Sequence, residues 1–258
     1  MSTLEGRVAL ITGAGRGIGK TMARSLAQAG MLVGINDVDP ALAESAVQEL
    51  TREGLRALAL TGSVSNKSQA YAMIDQAESE LGPLWLLVNN AGVLNAGPTA
   101  ELSEEAWDKA FDVDAKGVFL CSQAAIRKMI PRQQGRIVNI ASIAGLIVRT
   151  AQIAYCSAKA AVVHFTRCLA VEMAPYGITV NCLCPGMTWT QMLSVSAKER
   201  GLDLDAMVEL IPAGHMAKEE DHAHLVAFYA SDEASHITGQ IVSVDGAQGL
   251  YHPLMMKR

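Results

Sequence analysis

The chain is short of charge. Asp, Glu, Lys and Arg make up 18% of its 258 residues, against 50% hydrophobic. Base is not in excess either: 21 Lys and Arg face 26 Asp and Glu, a formal charge of −5. A nucleic-acid partner calls for a basic face, so this balance argues against one. No apolar run approaches the ~20 residues of a membrane span. The opening stretch from Met1 to Gly6 lacks the basic flank and apolar centre of an export signal. Cys121, Cys156, Cys168, Cys182 and Cys184 have neither zinc-like nor redox spacing. An odd cysteine count without an export signal fits a reducing, cytoplasmic setting. Linkers, repeats and low-complexity segments are missing too. Residues 1–258 are therefore expected to form one domain, a size that α/β folds reach as a unit.

What the chain does have is glycine in one place. Gly13, Gly15, Gly17 and Gly19 fall between an apolar run, Val8-Ala9-Leu10-Ile11, and a helical pattern over 21–29. A glycine cluster alone reads as a flexible loop. Between a buried strand and a helix start it permits a tight turn and close backbone approach to a pyrophosphate. The helix N-terminus then offers unpaired N–H groups to the phosphates.

Short apolar runs alternate with longer helical patterns along the rest of the chain. Strands are predicted over 8–12, 32–36, 57–61, 84–89, 136–140, 179–184 and 240–244, helices over 41–53, 67–81, 104–130, 154–173 and 219–231. Asp39-Pro40 and Ser103-Glu104-Glu105 read as helix starts. The strands are nearly continuous apolar runs, as in parallel sheets covered on both faces. The alternation predicts an α/β fold with an open, doubly wound parallel sheet.

Asp37 ends the second strand, ~20 residues past the glycine turn, where an acid accepts hydrogen bonds from an adenosine ribose. A carboxylate there repels a 2′-phosphate, which favours NAD over NADP; Arg16, inside the turn, is the counter-argument. The plainer alternative for Asp37 is a solvated acid opening the next helix. Asn89-Asn90-Ala91-Gly92 follows the fourth strand and Ser142 the fifth, both at the carboxyl edge where such sheets bind ligands. Tyr155 and Lys159 stand at i and i+4, on one helix face. A phenol with pKa near ~10 is a poor acid or base at neutral pH. An ammonium beside it stabilises the phenolate and lowers that pKa.

These residues together resemble the short-chain dehydrogenase/reductase family, in its single-domain form. The marks are Thr12-Gly13-x-x-x-Gly17-x-Gly19, Asn89-Asn90-Ala91-Gly92, Ser142, Tyr155-x-x-x-Lys159 and Pro185-Gly186, spread over nearly the whole chain. The resemblance implies a seven-stranded Rossmann-type sheet of order 3-2-1-4-5-6-7. It also implies hydride transfer between a nicotinamide and a secondary alcohol or ketone. Tyr155 is then the acid/base, Lys159 lowers its pKa and holds the nicotinamide ribose, and Ser142 orients the substrate oxygen. The cofactor contacts are Gly13, Arg16, Gly17, Ile18, Gly19, Asp37, Ser63, Val64, Asn90, Ala91, Gly92, Tyr155, Lys159, Pro185 and Gly186. Thr188 and Thr190 add polar contacts to the carboxamide.

Two positions depart from the family pattern. Asp114 stands where the family has an asparagine that supports a water-linked proton relay to the lysine. An ionised Asp114 near Lys159 raises the pKa of lysine and tyrosine alike. If it only caps a local kink, the relay runs through its backbone carbonyl and the pH dependence hardly moves. Ser63-Val64 stands where the family has Asp-Val, which weakens the adenine contact.

Substrate choice is expected from 94–97, 143–153 and an insert over 187–217, with Arg149, Gln152, Trp189, Met192 and His215 as candidate contacts. Arg149 either receives a substrate carboxylate or points to water. His222 and His224 do not share a helix face and make no metal site. Helices 104–130 and 154–173 carry apolar residues on several faces, which a helix bundle between subunits would bury. The resemblance implies that dimer, doubled to a homotetramer. The leading activity is an NAD-dependent alcohol dehydrogenase or ketone reductase. The alternatives are a dihydrodiol-type dehydrogenase and a non-catalytic dinucleotide sensor.

Overall fold

Seven parallel strands form one sheet, in the order β3-β2-β1-β4-β5-β6-β7. They are β1 (Val8–Ile11), β2 (Leu32–Asp37), β3 (Ala57–Thr61), β4 (Leu84–Asn89), β5 (Gly135–Ile140), β6 (Ile178–Pro185) and β7 (Ile241–Val244). The computed structural model describes residues 4–250, without the side chains of 192, 196, 199 and 200. Met1 to Thr3, part of the stretch read for an export signal, and the Met192 side chain thus lie outside the described residues. β1 and β4 are apolar throughout or nearly so, and β5 is wholly buried, because helices cover both faces of the sheet.

α1 (Gly17–Gln28), α2 (Pro40–Arg52) and α3 (Lys67–Leu81) follow the first three strands. α4 (Glu104–Phe111) and α5 (Gly117–Met129) separate β4 from β5, and α6 (Ile153–Met173) separates β5 from β6. α7 (Gln191–Arg200), α8 (Leu204–Val208) and α9 (Glu219–Ala230) lie between β6 and β7. Asp39, Asn66 and Ser103 cap α2, α3 and α4 by accepting from backbone N–H groups. Two apolar layers result. One packs α1 and α9 on the sheet through Met22, Leu26, Val226 and Tyr229. The other packs α3, α5 and α6 through Met73, Ile74, Leu120 and Leu169.

The single helix predicted over 104–130 is broken. A π-helical turn, Asp112–Lys116, joins α4 to α5. Such widened turns insert a residue into the helical ladder and often mark functional sites. Here the turn rotates Asp114 inward until it is fully buried. A second correction concerns the apolar helix faces. Val118, Cys121, Val162, Val163 and Leu169 are buried within this chain. Among the described residues, Trp107, Phe119, Ile153, Val171 and Tyr176 are the exposed large apolar groups on these helices and the turn after α6.

Candidate active site

The glycine turn is built against the end of β4. Gly13 has φ +60, and a Cβ there would meet the Ala91 Cα at 2.7 Å, so only glycine fits. Asn90 Nδ2 donates to the carbonyls of Thr12 (2.9 Å) and Gly13 (3.0 Å). Thr12 Oγ1 in return accepts from the N–H groups of Asn90 and Ala91. Asn90 therefore shapes the turn.

α1 begins without a side-chain cap, unlike α2, α3 and α4. Among the described residues, the N–H groups of Gly17, Ile18 and Gly19 have no partner. An anion seated there would satisfy them. Asp37 Oδ2 accepts from the Gly15 N–H at 3.2 Å and Oδ1 from the Asp39 N–H at 3.1 Å, so its carboxylate stands over the turn. Arg16 is exposed, and its Nη1 reaches Gln191 Oε1 at 3.4 Å. Ser63 Oγ pairs with Ser65 Oγ, and Val64 is buried at the edge of the α5 layer. Glycine turn, Asp37 and α1 N-terminus thus form a cradle of the right chemistry for a dinucleotide.

The reacting groups lie further along the same carboxyl edge. Ser142 leaves β5 in extended conformation and accepts from the Ala144 N–H at 3.1 Å. Its hydroxyl lies near Tyr155 and acts to lower the pKa of that phenol. Tyr155 and Lys159 occupy the first two turns of α6 on one face, with the ammonium 5.7 Å from the tyrosine ring centre. Lys159 is buried and donates to the Ile140 carbonyl at 3.1 Å. Asp114 Oδ1 accepts from the Val93 N–H at 2.7 Å, while its Oδ2 is buried without a partner. Gly92 lies between the two charges: a Cβ there would meet Asp114 Oδ1 at 2.9 Å and Lys159 Nζ at 3.3 Å.

Burial dominates the ionisation of this cluster. It pushes the Asp114 carboxyl up, and the Lys159 ammonium and Val93 N–H only partly pull it back. Burial pulls the Lys159 ammonium down, but Asp114 and Tyr155 outweigh it, so the lysine sits above its ordinary value. Burial raises the Tyr155 phenol. Lys159 opposes that, Asp114 adds to it, Ser142 opposes it, and the phenol ends above its ordinary value. The ammonium acts in the direction expected from the i, i+4 spacing but does not win against burial. Asp114 sits in the π turn, but its side chain accepts from the Val93 N–H rather than capping the turn, and it acts electrostatically on Lys159.

Other expected contacts are rearranged. Pro185 ends β6 and Gly186 follows it, its N–H bonded to the Val244 carbonyl. Thr188 is buried with its hydroxyl turned inward, and Thr190 Oγ1 caps α7 by accepting from the Leu193 N–H. A side-chain contact from either requires leaving these bonds. Ile211 and Met216 pack with Met187 into a small core of the insert. Trp189 (55% exposed), Leu146, Val148, Ile153 and Leu210 are exposed apolar groups on two of the three segments expected to bind substrate. Gln152 is half-buried at the start of α6. Arg149 is half-buried and partnered. His215 is exposed, with Nδ1 3.0 Å from the Met216 carbonyl oxygen. Among the described residues no cluster of His, Cys, Asp or Glu is arranged to hold a metal ion.

Sequence reasoning missed a buried polar ladder. Asn89 Nδ2 donates to Asn139 Oδ1 (2.8 Å) and Ser122 Oγ (3.0 Å), and Asn139 Nδ2 donates to Thr166 Oγ1 (2.9 Å). It ties β4, β5, α5 and α6 together and fixes α6 on the sheet. Its signal was polar residues inside otherwise apolar runs. His222, buried against Thr188, was missed as well.

Comparison with known proteins agrees with this geometry. The family model described as short chain dehydrogenase matches residues 7–201. The chain is 39% identical over 248 residues to (2S)-[(R)-hydroxy(phenyl)methyl]succinyl-CoA dehydrogenase subunit BbsD of Thauera aromatica, covering 96% of this chain and 98% of the relative. It is 39% identical over 254 residues to 2,3-dihydro-2,3-dihydroxybenzoate dehydrogenase of Bacillus subtilis (strain 168), covering 96% and 97%. Among solved structures, a gluconate 5-dehydrogenase from Burkholderia cenocepacia J2315, in complex with NADP and tartrate, superposes with a TM-score of 0.91. It is 33% identical, with 96% of this chain and 97% of that one covered. With the family model spanning residues 7–201 and relatives of 39% identity covering nearly the whole chain, the chain belongs to the short-chain dehydrogenase/reductase family of oxidoreductases.

Proposed function

We propose that residues 1–258 act as one cofactor-binding domain that moves a hydride between NAD and a secondary alcohol or ketone. The observation that carries this reading is the grouping of Ser142 and Tyr155 beside buried Lys159, on the sheet edge that also holds the glycine turn. A bound nicotinamide supplies the hydride acceptor or donor. The residues of the chain do the rest. In oxidation Tyr155 Oη takes the proton from the alcohol, and in reduction it returns one to the carbonyl oxygen. The Ser142 hydroxyl orients that oxygen. The Lys159 ammonium offsets the charge of the phenolate.

Exposed Trp189, Leu146, Val148 and Ile153 support a substrate with a ring or another bulky apolar body. The dihydrodiol named for the Bacillus subtilis relative supports a dihydrodiol as the second substrate class. A panel of cyclic, aryl and linear secondary alcohols and dihydrodiols, read by reduced-nicotinamide absorbance, tests this. Turnover of none would favour the dinucleotide-sensor alternative. Residual apolar surface at Trp107, Phe119 and Val171 supports a homodimer, doubled to a tetramer, and the free cysteines support a reducing, cytoplasmic setting. Sedimentation would measure the assembly.

The preference for NAD rests on the Asp37 carboxylate. Juxtaposed like charges cost several kcal/mol, so NADP is expected to bind ~10²-fold more weakly. Asp37→Asn keeps an oxygen for the Gly15 N–H and removes the charge, so it should narrow the gap. Equal Kd values for the two cofactors in wild-type protein would end this role for Asp37.

Asp114 sets the working pH in this reading. It raises both Tyr155 and Lys159. Asp114→Asn removes that anion, so both groups fall and the rising limb of kcat/KM for oxidation moves to lower pH. The pH profiles of the two proteins decide it: coincident limbs would make Asp114 a purely structural group.

A further inference from the structure

We propose that His222 is a positioning residue for the nicotinamide half of the cofactor, acting through a buried hydrogen bond to Thr188. The inference rests on the cofactor reading above and concerns a residue outside the acid/base cluster. His222 lies in the first turns of α9 and is fully buried, whereas His224 is exposed. Its Nε2 stands 2.8 Å from Thr188 Oγ1. Thr188 Oγ1 is also 3.0 Å from the Gly186 carbonyl oxygen.

The proton count assigns the tautomer. A threonine hydroxyl has one proton, and a carbonyl can only accept. With that proton on Gly186, the contact to His222 needs Nε2–H as donor. Nδ1, which is buried without a partner, then carries a lone pair. The opposite tautomer would orphan an N–H instead, and orphaned buried N–H groups are the rarer kind. Burial holds the ring neutral, with its pKa pushed down to about 4. His222 is thus a fixed neutral donor at neutral pH.

The bond commits the Thr188 side chain to the interior and leaves the backbone for a ligand. Thr188 forms an isolated parallel bridge with Ala217, through Trp189 N–H to the Ala217 carbonyl (3.3 Å) and Ala217 N–H to the Met187 carbonyl (2.9 Å). In that pattern the N–H and C=O of Thr188 itself point away from Ala217. Among the described residues neither has a partner. One donor and one acceptor on a single residue complement a primary carboxamide, which offers a C=O and an NH2. The strip has no longer ladder to hold it, so its placement depends on the bridge, on the Met187 N–H bond to Gln248 Oε1 and on His222.

The same end of α9 reaches the other half of the cradle. Glu219 Oε2 accepts from Thr21 Oγ1 of α1 at 2.5 Å. One helix start therefore ties the strip at Thr188 to the helix whose N-terminus faces the pyrophosphate.

The test compares NADH with ADP-ribose, which lacks the nicotinamide, by calorimetry on wild type, His222→Leu, His222→Gln and Thr188→Val. Losing one neutral hydrogen bond should weaken NADH binding roughly three- to tenfold in His222→Leu and Thr188→Val, with ADP-ribose held within about twofold. His222→Gln, which places an amide N–H at similar reach, should recover most of the NADH affinity. Equal losses for both ligands, or an unchanged NADH Kd, would overturn the role of His222. Wild type binding neither ligand would overturn the cofactor reading itself. If His222→Leu does not fold, Thr188→Val carries the same comparison, since it removes one hydroxyl at constant shape.

Discussion

Tyr155→Phe is expected to lower kcat by about 10²–10⁴-fold, the usual contribution of a general acid or base, while NADH affinity stays within about twofold. The ring and its packing remain. Only the phenolic hydroxyl, on which Ser142 and Lys159 act, is lost. The sign of the pH dependence follows from the raised phenol. Oxidation needs Tyr155 deprotonated, so wild-type oxidation should climb with pH above neutral, and reduction should be favoured at lower pH. The residual rate of Tyr155→Phe should lose that dependence. Activity within a few-fold of wild type, with the pH profile retained, would take Tyr155 out of the mechanism.

The largest effect on stability should come from Lys159→Leu. Lys159 is 3% exposed, fills the space beside Gly92 and faces Asp114, which is wholly buried. Removing the ammonium leaves the Asp114 carboxyl without its opposing charge and the Ile140 carbonyl without its donor. Breaking a buried charge pair on one side costs about 3–5 kcal/mol. For a chain of this size that is a Tm drop of roughly 10 °C. Turnover should fall as well, because Tyr155 loses the cation that opposes its raised pKa. Adding Asp114→Asn to Lys159→Leu should restore part of the stability, since the buried carboxylate is then gone. Denaturant unfolding of wild type, both single variants and the double variant reads this directly. A double variant no more stable than Lys159→Leu would show the two charges to be uncoupled.

The sequence by itself determined the sheet and most of the site. Parallel strands buried on both faces must be apolar along their length, so 84–89 could be read to its ends. Cap chemistry is local, and Asp39 and Ser103 marked helix starts for that reason. Tyr155 and Lys159 were legible because helical spacing alone puts them on one face. The glycine turn was legible because only glycine takes the Gly13 conformation against Ala91.

The tertiary structure decided what depends on contacts far apart in the chain. Periodicity does not reveal the π turn that sends Asp114 inward, since inserting one residue leaves the apolar pattern of α4 and α5 nearly unchanged. Nor does spacing decide whether an ammonium or burial governs a phenol; that balance is set by α6, β5 and the strip at Gly92 closing over Tyr155 and Lys159 together. Thr188 and His222 lie 34 positions apart, and only the packing of α9 beside the end of β6 makes them one hydrogen-bonded pair. Burial is a property of the assembled chain, and it set the charge of each buried group that the sequence could name only one at a time.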